Sequence, residues 1–465
     1  MSGARSSSAI SPATLQALTA RFGSQLSTSP AVRRNHASVE GFHADLPPDA
    51  VLMARSTADV ADAVTICAAG GAPVIAYGAG SSLEGHVLAV QGGLTVDLSE
   101  MNAVLEVNTQ DMDARVQAGV TRKQLNAHLR DQGLFFPVDP GADATLGGMV
   151  STGASGTTTI RYGGMRANVL GLTVVLPSGE VITTGGRVRK SSAGYDLTAL
   201  FTGAEGTLGV VTEVQVRLHG IPEETAAAVC AFSTLKGAVD AVIYAVQYGV
   251  PMARMELLDA LSMRAVNAYS RTAYAEEPTL FLEFHGSATG VKEQAETFAG
   301  IAKEHGGGAF DWSTAQEDRD RLWEARHKAY FAALALAPGK VSITTDVCVP
   351  VSRLAECIVE TQADIEASGL VGPILGHVGD GNFHAILMID PQDPGEIARG
   401  KAVAGRIVER ALALGGTCTG EHGVGVGKKA YLLAEQGTAV PLMALIKQAI
   451  DPTGLMNPGK IFDAG

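Results

Sequence analysis

Apolar positions in the first half of the chain follow a helical period in some stretches and a strand period in others. Between residues 57 and 70 they recur at helical spacing, with Thr57 as the predicted N-cap and Gly70 as the predicted stop. The pattern predicts helices at 57–70 and 121–133 and strands at 73–77 and 94–99. It also predicts two strands joined by a Pro-Ser-Gly turn within 171–183, and a strand pattern at the end of 201–218. This half therefore mixes helices and strands.

The pattern changes at residues 220–224, where glycine-rich loops stop and longer helical periods begin. Helices are predicted at 235–248 and 318–337, strands at 279–286, 341–350 and 373–390, and a turn-rich tail at 451–462. At about 100 to 200 residues per domain, a chain of 465 residues holds two or three domains. The sequence predicts an α+β protein with a domain boundary near residue 221.

Composition and charge narrow the function classes. The chain has 35 Lys and Arg against 48 Asp and Glu, a net charge of −13, which disfavours nucleic acid as a partner. Its five cysteines are scattered and form no C-x-x-C pair, which argues against a disulfide framework, a thiolate zinc site or an iron–sulfur cluster.

Hydropathy and the N-terminal residues are the sequence features that bear on the cellular location. No apolar run reaches the roughly 20 residues of a spanning helix, so no integral membrane segment is expected. Residues 1–39 contain arginine but no acidic residue, a weak resemblance to an organelle transit peptide, and an ordinary polar or helical head is the preferred interpretation.

Glycine is the compositional outlier, at 55 of 465 residues. It concentrates in tracts at 78–86, 140–164 and 201–218. The first tract directly follows a predicted strand, where backbone N–H groups can bind a phosphate; taken alone, it fits a plain tight turn equally well. The spacing there is not a dinucleotide fingerprint, and residues 423–429 are not a nucleotide P-loop. Three such tracts in one domain predict an extended ligand with a pyrophosphate and a flat ring.

Two histidines flank an Asp-Gly pair in the stretch from His377 to His384. A two-residue turn at Asp380-Gly381 would place the two histidines directly opposite each other, with Cβ atoms roughly 5 Å apart. Glu421, in a glycine-rich run, is the candidate third ligand. Two histidines and a carboxylate with an open position suit a catalytic Zn²⁺, Mn²⁺ or Fe²⁺ ion, and ligand type alone does not choose among them.

The segments PVIAYGAGSSLEG, PVDPGADATLGGMVSTGASG and LFTGAEGTLGVVTEVQVRL resemble the FAD-binding domain of the vanillyl-alcohol oxidase and p-cresol methylhydroxylase superfamily. The resemblance implies a two-part FAD-binding domain and non-covalent FAD, because the first loop has no histidine before His86. The FAD contacts it implies are Gly78, Ala79, Gly80, Ser81, Ser82, Pro140, Gly141, Thr145, Gly148, Ser151, Thr152, Ala154, Gly156, Glu205, Gly206, Val211 and Asn457.

GHVGDGNFH and GEHGVG resemble the C-terminal half of the FAD-linked D-2-hydroxyacid dehydrogenases of that superfamily. The resemblance implies His377, His384 and Glu421 as ligands of one divalent metal ion, with Zn or Mn preferred. It implies His422 as the base, Arg326 as the arginine for the substrate carboxylate, and Asn382 as a contact of the substrate or metal. The implied domains are an N-terminal head (1–47), an FAD-binding domain (48–221), an α/β substrate and metal-binding cap with an antiparallel sheet (222–440) and a C-terminal segment packing on the FAD domain (441–465).

Substrate choice depends on residues 342–350. Members of this family that act on D-2-hydroxyglutarate tend to carry a Lys where this chain has Thr344. The sequence of residues 342–350 instead resembles the cytochrome-type D-lactate dehydrogenases. We therefore expect oxidation of a short D-2-hydroxyacid, D-lactate to pyruvate, with D-2-hydroxyglutarate dehydrogenase or a glycolate oxidase flavin subunit as alternatives. A metal-dependent hydrolase is the remote alternative.

The interpretation as a flavin dehydrogenase also implies an electron acceptor and a cellular location. With no second redox centre in the sequence, the electrons pass to a cytochrome, a quinone or an electron-transfer flavoprotein. The expected location is cytoplasmic or peripheral to a membrane, and mitochondrial (matrix or intermembrane space) in a eukaryote.

Overall fold

A computed structural model describes residues 9–37 and 41–463, so residues 1–8 and 38–40 of the predicted N-terminal head lie outside the described residues. The described helices are α1 Pro12–Phe22, α2 Pro30–Asn35, α3 Thr57–Gly70, α4 Arg122–Leu129, α5 Leu146–Thr152, α6 Thr159–Tyr162, α7 Met165–Asn168, α8 Leu197–Phe201, α9 Leu235–Gln247, α10 Ala260–Ser270, α11 Ala288–Glu304, α12 Gln316–His327, α13 Ala329–Ala335, α14 Leu354–Ser368, α15 Pro394–Ala413, α16 Lys429–Gln436 and α17 Val440–Ile450.

The described strands are β1 Leu26–Ser27, β2 Ala50–Met53, β3 Val74–Tyr77, β4 Leu94–Asp97, β5 Val104–Asn108, β6 Asp113–Gln117, β7 Leu134–Phe135, β8 Val169–Val175, β9 Val181–Gly185, β10 Val210–Arg217, β11 His219–Gly220, β12 Glu224–Phe232, β13 Met252–Leu258, β14 Thr279–Gly286, β15 Gly307–Ser313, β16 Val341–Thr344, β17 Val347–Cys348, β18 Ile374–Gly376 and β19 Asn382–Ile389. None of the described helices has the length and apolar character to cross a membrane.

The described chain divides into two compact units. The first comprises the chain up to Ser155, Gly163–Ile221 and everything from Glu421 onward, and the second comprises Gly156–Tyr162 and Pro222–Gly420. Compactness by contacts does not establish independent folding, so the four predicted domain ranges stay a prediction.

The first unit is built on two separate sheets. One has the order β1-β2-β4-β3, with β4 parallel to both β2 and β3, and the other has the antiparallel order β5-β6-β10-β8-β9. Each sheet has its own buried cluster, one around Leu52, Val64 and Val96 and one around Phe136 and Val214. The predicted two-part architecture is confirmed.

Helix α3 covers the first of these sheets and has the predicted bounds. Its cap differs from the prediction: Ser56, not Thr57, is the N-cap, and Ser56 Oγ accepts a hydrogen bond from Asp59 N at 3.1 Å. Thr57 Oγ1 instead donates to Thr212 Oγ1 at 3.0 Å. The buried apolar face of α3 consists of residues at helical spacing: Val60, Ala63, Val64 and Cys67.

The second unit is organised around one antiparallel sheet of eight strands, in the order β15-β12-β14-β13-β18-β19-β16, with β17 also paired to β19. Strand β14 has the predicted bounds and is buried at every position before Gly286, because α11 packs on one face and α12 on the other. The single helix predicted at 318–337 is wrong, because the chain forms two helices, α12 and α13, that meet at Lys328.

The C-terminal tail packs into the first unit through its backbone. Met456 forms a parallel bridge with Val74, and Asn457 N donates to Val74 O at 2.8 Å. Lys460 is 3% exposed and its Nζ donates to Leu88 O at 2.7 Å. Burial lowers the pKa of Lys460 from its ordinary value of 10.5 to about 7.

This lysine predicts a pH dependence of stability. Because the unfolded chain keeps the ordinary pKa of 10.5 and the folded chain has a value of about 7, the unfolded state binds more protons between these pH values. The cost of burying Lys460 therefore falls, and the fold becomes more stable, as the pH rises through that window, by at most about 1.4 kcal/mol per pH unit. We expect Lys460→Met to lack this rise in urea denaturation, while the control variant of an exposed lysine, Lys292→Met, keeps it. Equal pH slopes for wild type and Lys460→Met would contradict the assignment.

Candidate active site

His377 lies in the turn after β18 and His384 lies on β19, but the predicted register of the pair is wrong. Leu375, not His377, is the partner of His384, and Asn382 N donates to His377 O at 3.3 Å. The turn is longer than two residues because 378–380 form a 3₁₀ turn and Gly381 follows with φ 84°. A Cβ at Gly381 would lie 2.1 Å from Val349 O, so the turn packs closely on the chain after β17.

The two imidazoles nevertheless meet. Their ring centroids are 5.7 Å apart at an interplanar angle of 84°, and a ligand nitrogen from each lies within 4.8 Å of the other. His377 Nδ1 is 2.7 Å from Glu256 Oε1, and His384 Nδ1 is 3.0 Å from Thr345 O. With both Nδ1 atoms held as donors, each ring presents Nε2 as the nitrogen for a metal ion.

Glu256 is a site residue that our sequence analysis missed. Its side chain has no solvent exposure, and Oε2 accepts a hydrogen bond of 2.5 Å from Arg326 Nη2. The available signal was a lone carboxylate in the apolar strand MARMELL, because a buried charge requires a partner.

Arg326 lies on α12 and is 7% exposed. Its Nη2 is engaged by Glu256, whereas its Nε is buried and has no hydrogen-bond partner among the described residues. A buried N–H without a partner is costly, which makes Nε a fitting donor for a ligand oxygen.

Asn382 begins β19, between the two histidines in sequence. Its Nδ2 donates to Asp346 Oδ1 at 2.8 Å and to Val347 O at 2.9 Å. Its Oδ1 is buried and has no partner in the described chain, so this carbonyl is a candidate ligand contact. Asp346, which is fully buried and also accepts from Thr419 Oγ1 at 2.9 Å, is a second residue that our sequence analysis missed.

The segment that carries Glu421 and His422 opens the last part of the first unit. Ser155 Oγ donates to Glu421 Oε2 at 2.9 Å, and His422 Nε2 lies 3.7 Å from Glu421 Oε1. In the preceding residue, Gly420, a Cβ would lie 2.1 Å from Asn382 Nδ2, so glycine is required there.

The first two glycine tracts approach each other in the first unit. A Cβ at Gly78 would lie 2.2 Å from Thr145 Oγ1, the atom that caps α5 by accepting from Gly148 N at 3.3 Å. Gly80 has φ 68°, and Ser82 Oγ is buried without a partner among the described residues. A close backbone approach together with a buried unused hydroxyl fits a bound phosphate.

Other residues predicted to contact FAD have polar atoms engaged within the protein. Ser151 Oγ and Thr152 Oγ1 donate to backbone carbonyls of their own helix at 2.9 and 3.2 Å. Val211 is buried in the core on β10, and Gly156 opens the 156–162 segment of the second unit. The others lie in loops or in α5: Ala79, Ser81, Pro140, Gly141, Gly148, Ala154 and Gly206.

Glu205 connects the third glycine tract to the segment after His422. Its carboxylate accepts from Val424 N at 2.7 Å and Gly425 N at 2.8 Å, and lies 3.1 Å from His86 Nε2. Burial alone would raise the pKa of Glu205, but His86 and the two backbone donors outweigh it and lower the pKa. Asn457 Nδ2 donates to the carbonyls of both His86 and Glu205, at 3.0 and 2.7 Å.

Two family descriptions match the chain. Residues 48–185 match the FAD binding domain, and residues 221–461 match the FAD linked oxidases, C-terminal domain. The chain belongs to the FAD-linked oxidases. It is a flavoprotein oxidoreductase, and the alternative of a hydrolase whose glycine tracts are mere turns is wrong.

Relatives agree with this family. A probable mitochondrial D-lactate dehydrogenase of Danio rerio is 49% identical over 94% of this chain and 89% of that protein. A mitochondrial D-lactate dehydrogenase [cytochrome] of Arabidopsis thaliana is 43% identical over 89% of this chain and 73% of that protein. The structure of substrate-bound p-cresol methylhydroxylase superposes with a TM-score of 0.80 over 98% of both chains, at 18% identity, a likeness that shows the fold.

The close contact between Gly78 and Thr145 predicts a variant with weakened FAD binding. In Gly78→Ala the new Cβ must displace Thr145 Oγ1 and break the cap of α5, and we expect FAD to bind at least about tenfold more weakly, a cost of about 1.4 kcal/mol. The 450 nm absorbance of the purified variant, titrated with FAD, measures this. Gly220→Ala, which places its Cβ in open space, is the control and should bind FAD as wild type does.

Proposed function

We propose that this protein is an FAD-dependent and divalent-metal-dependent dehydrogenase that oxidises D-lactate to pyruvate. The observation that carries the proposal is that one carboxylate, Glu256, contacts both Arg326 and His377. Arg326 is a buried arginine with an unused N–H, and the ring of His377 lies against the ring of His384. Arginine and a metal ion are the two groups that would hold the carboxylate and hydroxyl of a 2-hydroxyacid.

His377, His384 and Glu421 would hold the metal ion. Glu421 directly follows Gly420 in the chain, and Gly420 packs on Asn382, which is two residues before His384; this continuity supports Glu421 as the third ligand. A Zn²⁺ or Mn²⁺ ion bound there would lower the cost of forming an alkoxide from the substrate hydroxyl.

The glycine tracts of the first unit would hold FAD without a covalent bond. His86, the histidine that follows the first tract, is 6% exposed and is engaged by Glu205, which supports non-covalent binding. When bound, FAD accepts the α-hydrogen as a hydride at N5.

Three side chains of this chain would then act on the substrate. Arg326 Nε would donate to the substrate carboxylate, and Asn382 Oδ1 would contact the substrate or lie on the side of the metal ion. His422 would accept the hydroxyl proton as the α-hydrogen leaves. One proton and one hydride leave D-lactate, which gives pyruvate.

The charges of the second unit favour a substrate with one carboxylate. Arg326 is paired with Glu256, so the charge of this arginine is already partly neutralised. Thr344, at the position where D-2-hydroxyglutarate enzymes carry lysine, bonds Ser342 Oγ at 3.5 Å. D-2-hydroxyglutarate and glycolate are the alternative substrates.

The acceptor and location are proposed from the relatives. A protein named D-lactate dehydrogenase [cytochrome] supports a cytochrome as the acceptor of the two electrons, ahead of a quinone or an electron-transfer flavoprotein. The names of both relatives include mitochondrial, which supports mitochondria if the source is eukaryotic. For any other source, the cytoplasm or a membrane surface is the proposed location.

Anaerobic spectra test the activity. We expect D-lactate to bleach the flavin band of the purified protein, and L-lactate, glycolate and D-2-hydroxyglutarate to bleach it much more slowly. Pre-treatment with a chelator should abolish bleaching, and added Zn²⁺ or Mn²⁺ should restore it. Faster bleaching by glycolate or D-2-hydroxyglutarate would reject D-lactate as the substrate, and bleaching that survives complete metal removal would reject metal dependence.

His422→Ala tests the base. Loss of a general base slows proton transfer by about 10²- to 10⁴-fold, so we expect flavin reduction by D-lactate to slow by that factor with FAD content unchanged. Stopped-flow absorbance measures the rate, and the exposed His128→Ala is the control. A His422→Ala rate within a few-fold of wild type would reject this role.

A further inference from the structure

We propose that Glu256 is a positioning residue that holds the metal ligand His377 and the substrate arginine Arg326 with one carboxylate, so that binding of metal and binding of substrate depend on the same side chain. The inference rests on the proposed function, because it takes His377 as a metal ligand and Arg326 as the substrate contact.

The two oxygens of Glu256 are divided between these partners. Oε1 lies 2.7 Å from His377 Nδ1, and Oε2 lies 2.5 Å from Arg326 Nη2. The carboxylate has no solvent exposure, and the side chains of Arg326 and His377 are only 9% and 12% exposed. Water therefore offers little compensation if either contact is lost.

Each contact fixes which nitrogen the side chain can offer to a ligand. A carboxylate that accepts from Nδ1 keeps the proton on that atom, so His377 presents the lone pair of Nε2. On the other side, Glu256 takes Nη2 of Arg326 and leaves Nε, which is buried and unpartnered in the described chain. Glu256 thus sets the tautomer of the metal ligand His377 and the orientation of the donor Nε of Arg326.

A glutamine cannot replace this carboxylate. Its side chain has one acceptor oxygen and one NH₂ donor, whereas both neighbours of Glu256 are donors. Glu256→Gln therefore places a donor against Arg326 or against His377 Nδ1. Glu256→Asp keeps both acceptors but is one methylene shorter, so it should reach one partner and restore part of the function.

The adjacent strand supplies a matched control. Glu283 on β14 is the register partner of Arg254 on β13 and forms the same kind of trio, 3.3 Å from Arg254 Nε and 2.7 Å from His285 Nε2. His285 Nδ1 is 2.7 Å from Tyr162 Oη. The histidine of this trio therefore contacts a tyrosine and is not a predicted metal ligand. Glu283→Gln breaks a second Arg–Glu–His trio, whose carboxylate side chain is 8% exposed and which has no role in the proposal.

The test measures metal affinity directly. FAD-loaded wild type, Glu256→Gln, Glu256→Asp and Glu283→Gln are stripped of metal and titrated with Zn²⁺ against a chromophoric chelator. Residues that orient a metal ligand typically contribute 10- to 100-fold in affinity, so we expect about that loss in Glu256→Gln, a smaller loss in Glu256→Asp and wild-type affinity in Glu283→Gln.

A second readout addresses the arginine. At saturating Zn²⁺, Glu256→Gln should still show a raised KM for D-lactate, because Arg326 has lost its anchor, and Glu283→Gln should not. If Glu256→Gln fails to retain FAD, the comparison is made between Glu256→Asp and Glu283→Gln, with the same expected order.

The outcomes separate this proposal from the proposed function. Equal Zn²⁺ affinity in wild type and the Glu256 variants overturns the role of Glu256 alone. A wild type that binds no divalent ion overturns this role together with the metal part of the proposed function. Weakened Zn²⁺ binding in Glu256→Gln, with a wild-type flavin that D-lactate does not bleach, supports the role of Glu256 while rejecting the substrate.

Discussion

A carboxylate without solvent access needs buried donors, and Glu256 imposes this constraint on the second unit. It lies on β13 with no exposure, so two other elements must each supply a donor. Helix α12 supplies Arg326, and the turn after β18 supplies His377. One buried charge therefore sets the position of a helix, a strand and a turn, and two of the groups it orders are those that the proposed chemistry uses.

The first unit uses the same principle with backbone donors. Glu205 is 4% exposed and accepts from Val424 N and Gly425 N, which directly follow Glu421 and His422 in the chain. Asn457 adds bonds to the carbonyls of Glu205 and His86, so the C-terminal tail joins the same cluster. A turn that must present two adjacent polar side chains is held by a residue about 220 positions earlier in the chain.

Local patterns predicted many elements well, and they failed where pairing decided the geometry. The bounds of α3 and β14 follow from helical spacing and from an apolar run between turn signals. The Asp-Gly rule placed His377 opposite His384, whereas the 3₁₀ turn at 378–380 makes Leu375 the partner. The rings still meet because the longer turn folds His377 back toward β19.

The sequence by itself determined the class of the protein: its motifs name FAD-binding loops, a histidine pair and a Glu-His run, because those residue types and spacings are local properties of the chain. Only the tertiary structure decided which polar groups hold them. Glu256 and Asp346 lie 121 and 36 positions from the residues they contact, His377 and Asn382, and such pairings arise from sheet register and burial, which no local pattern records.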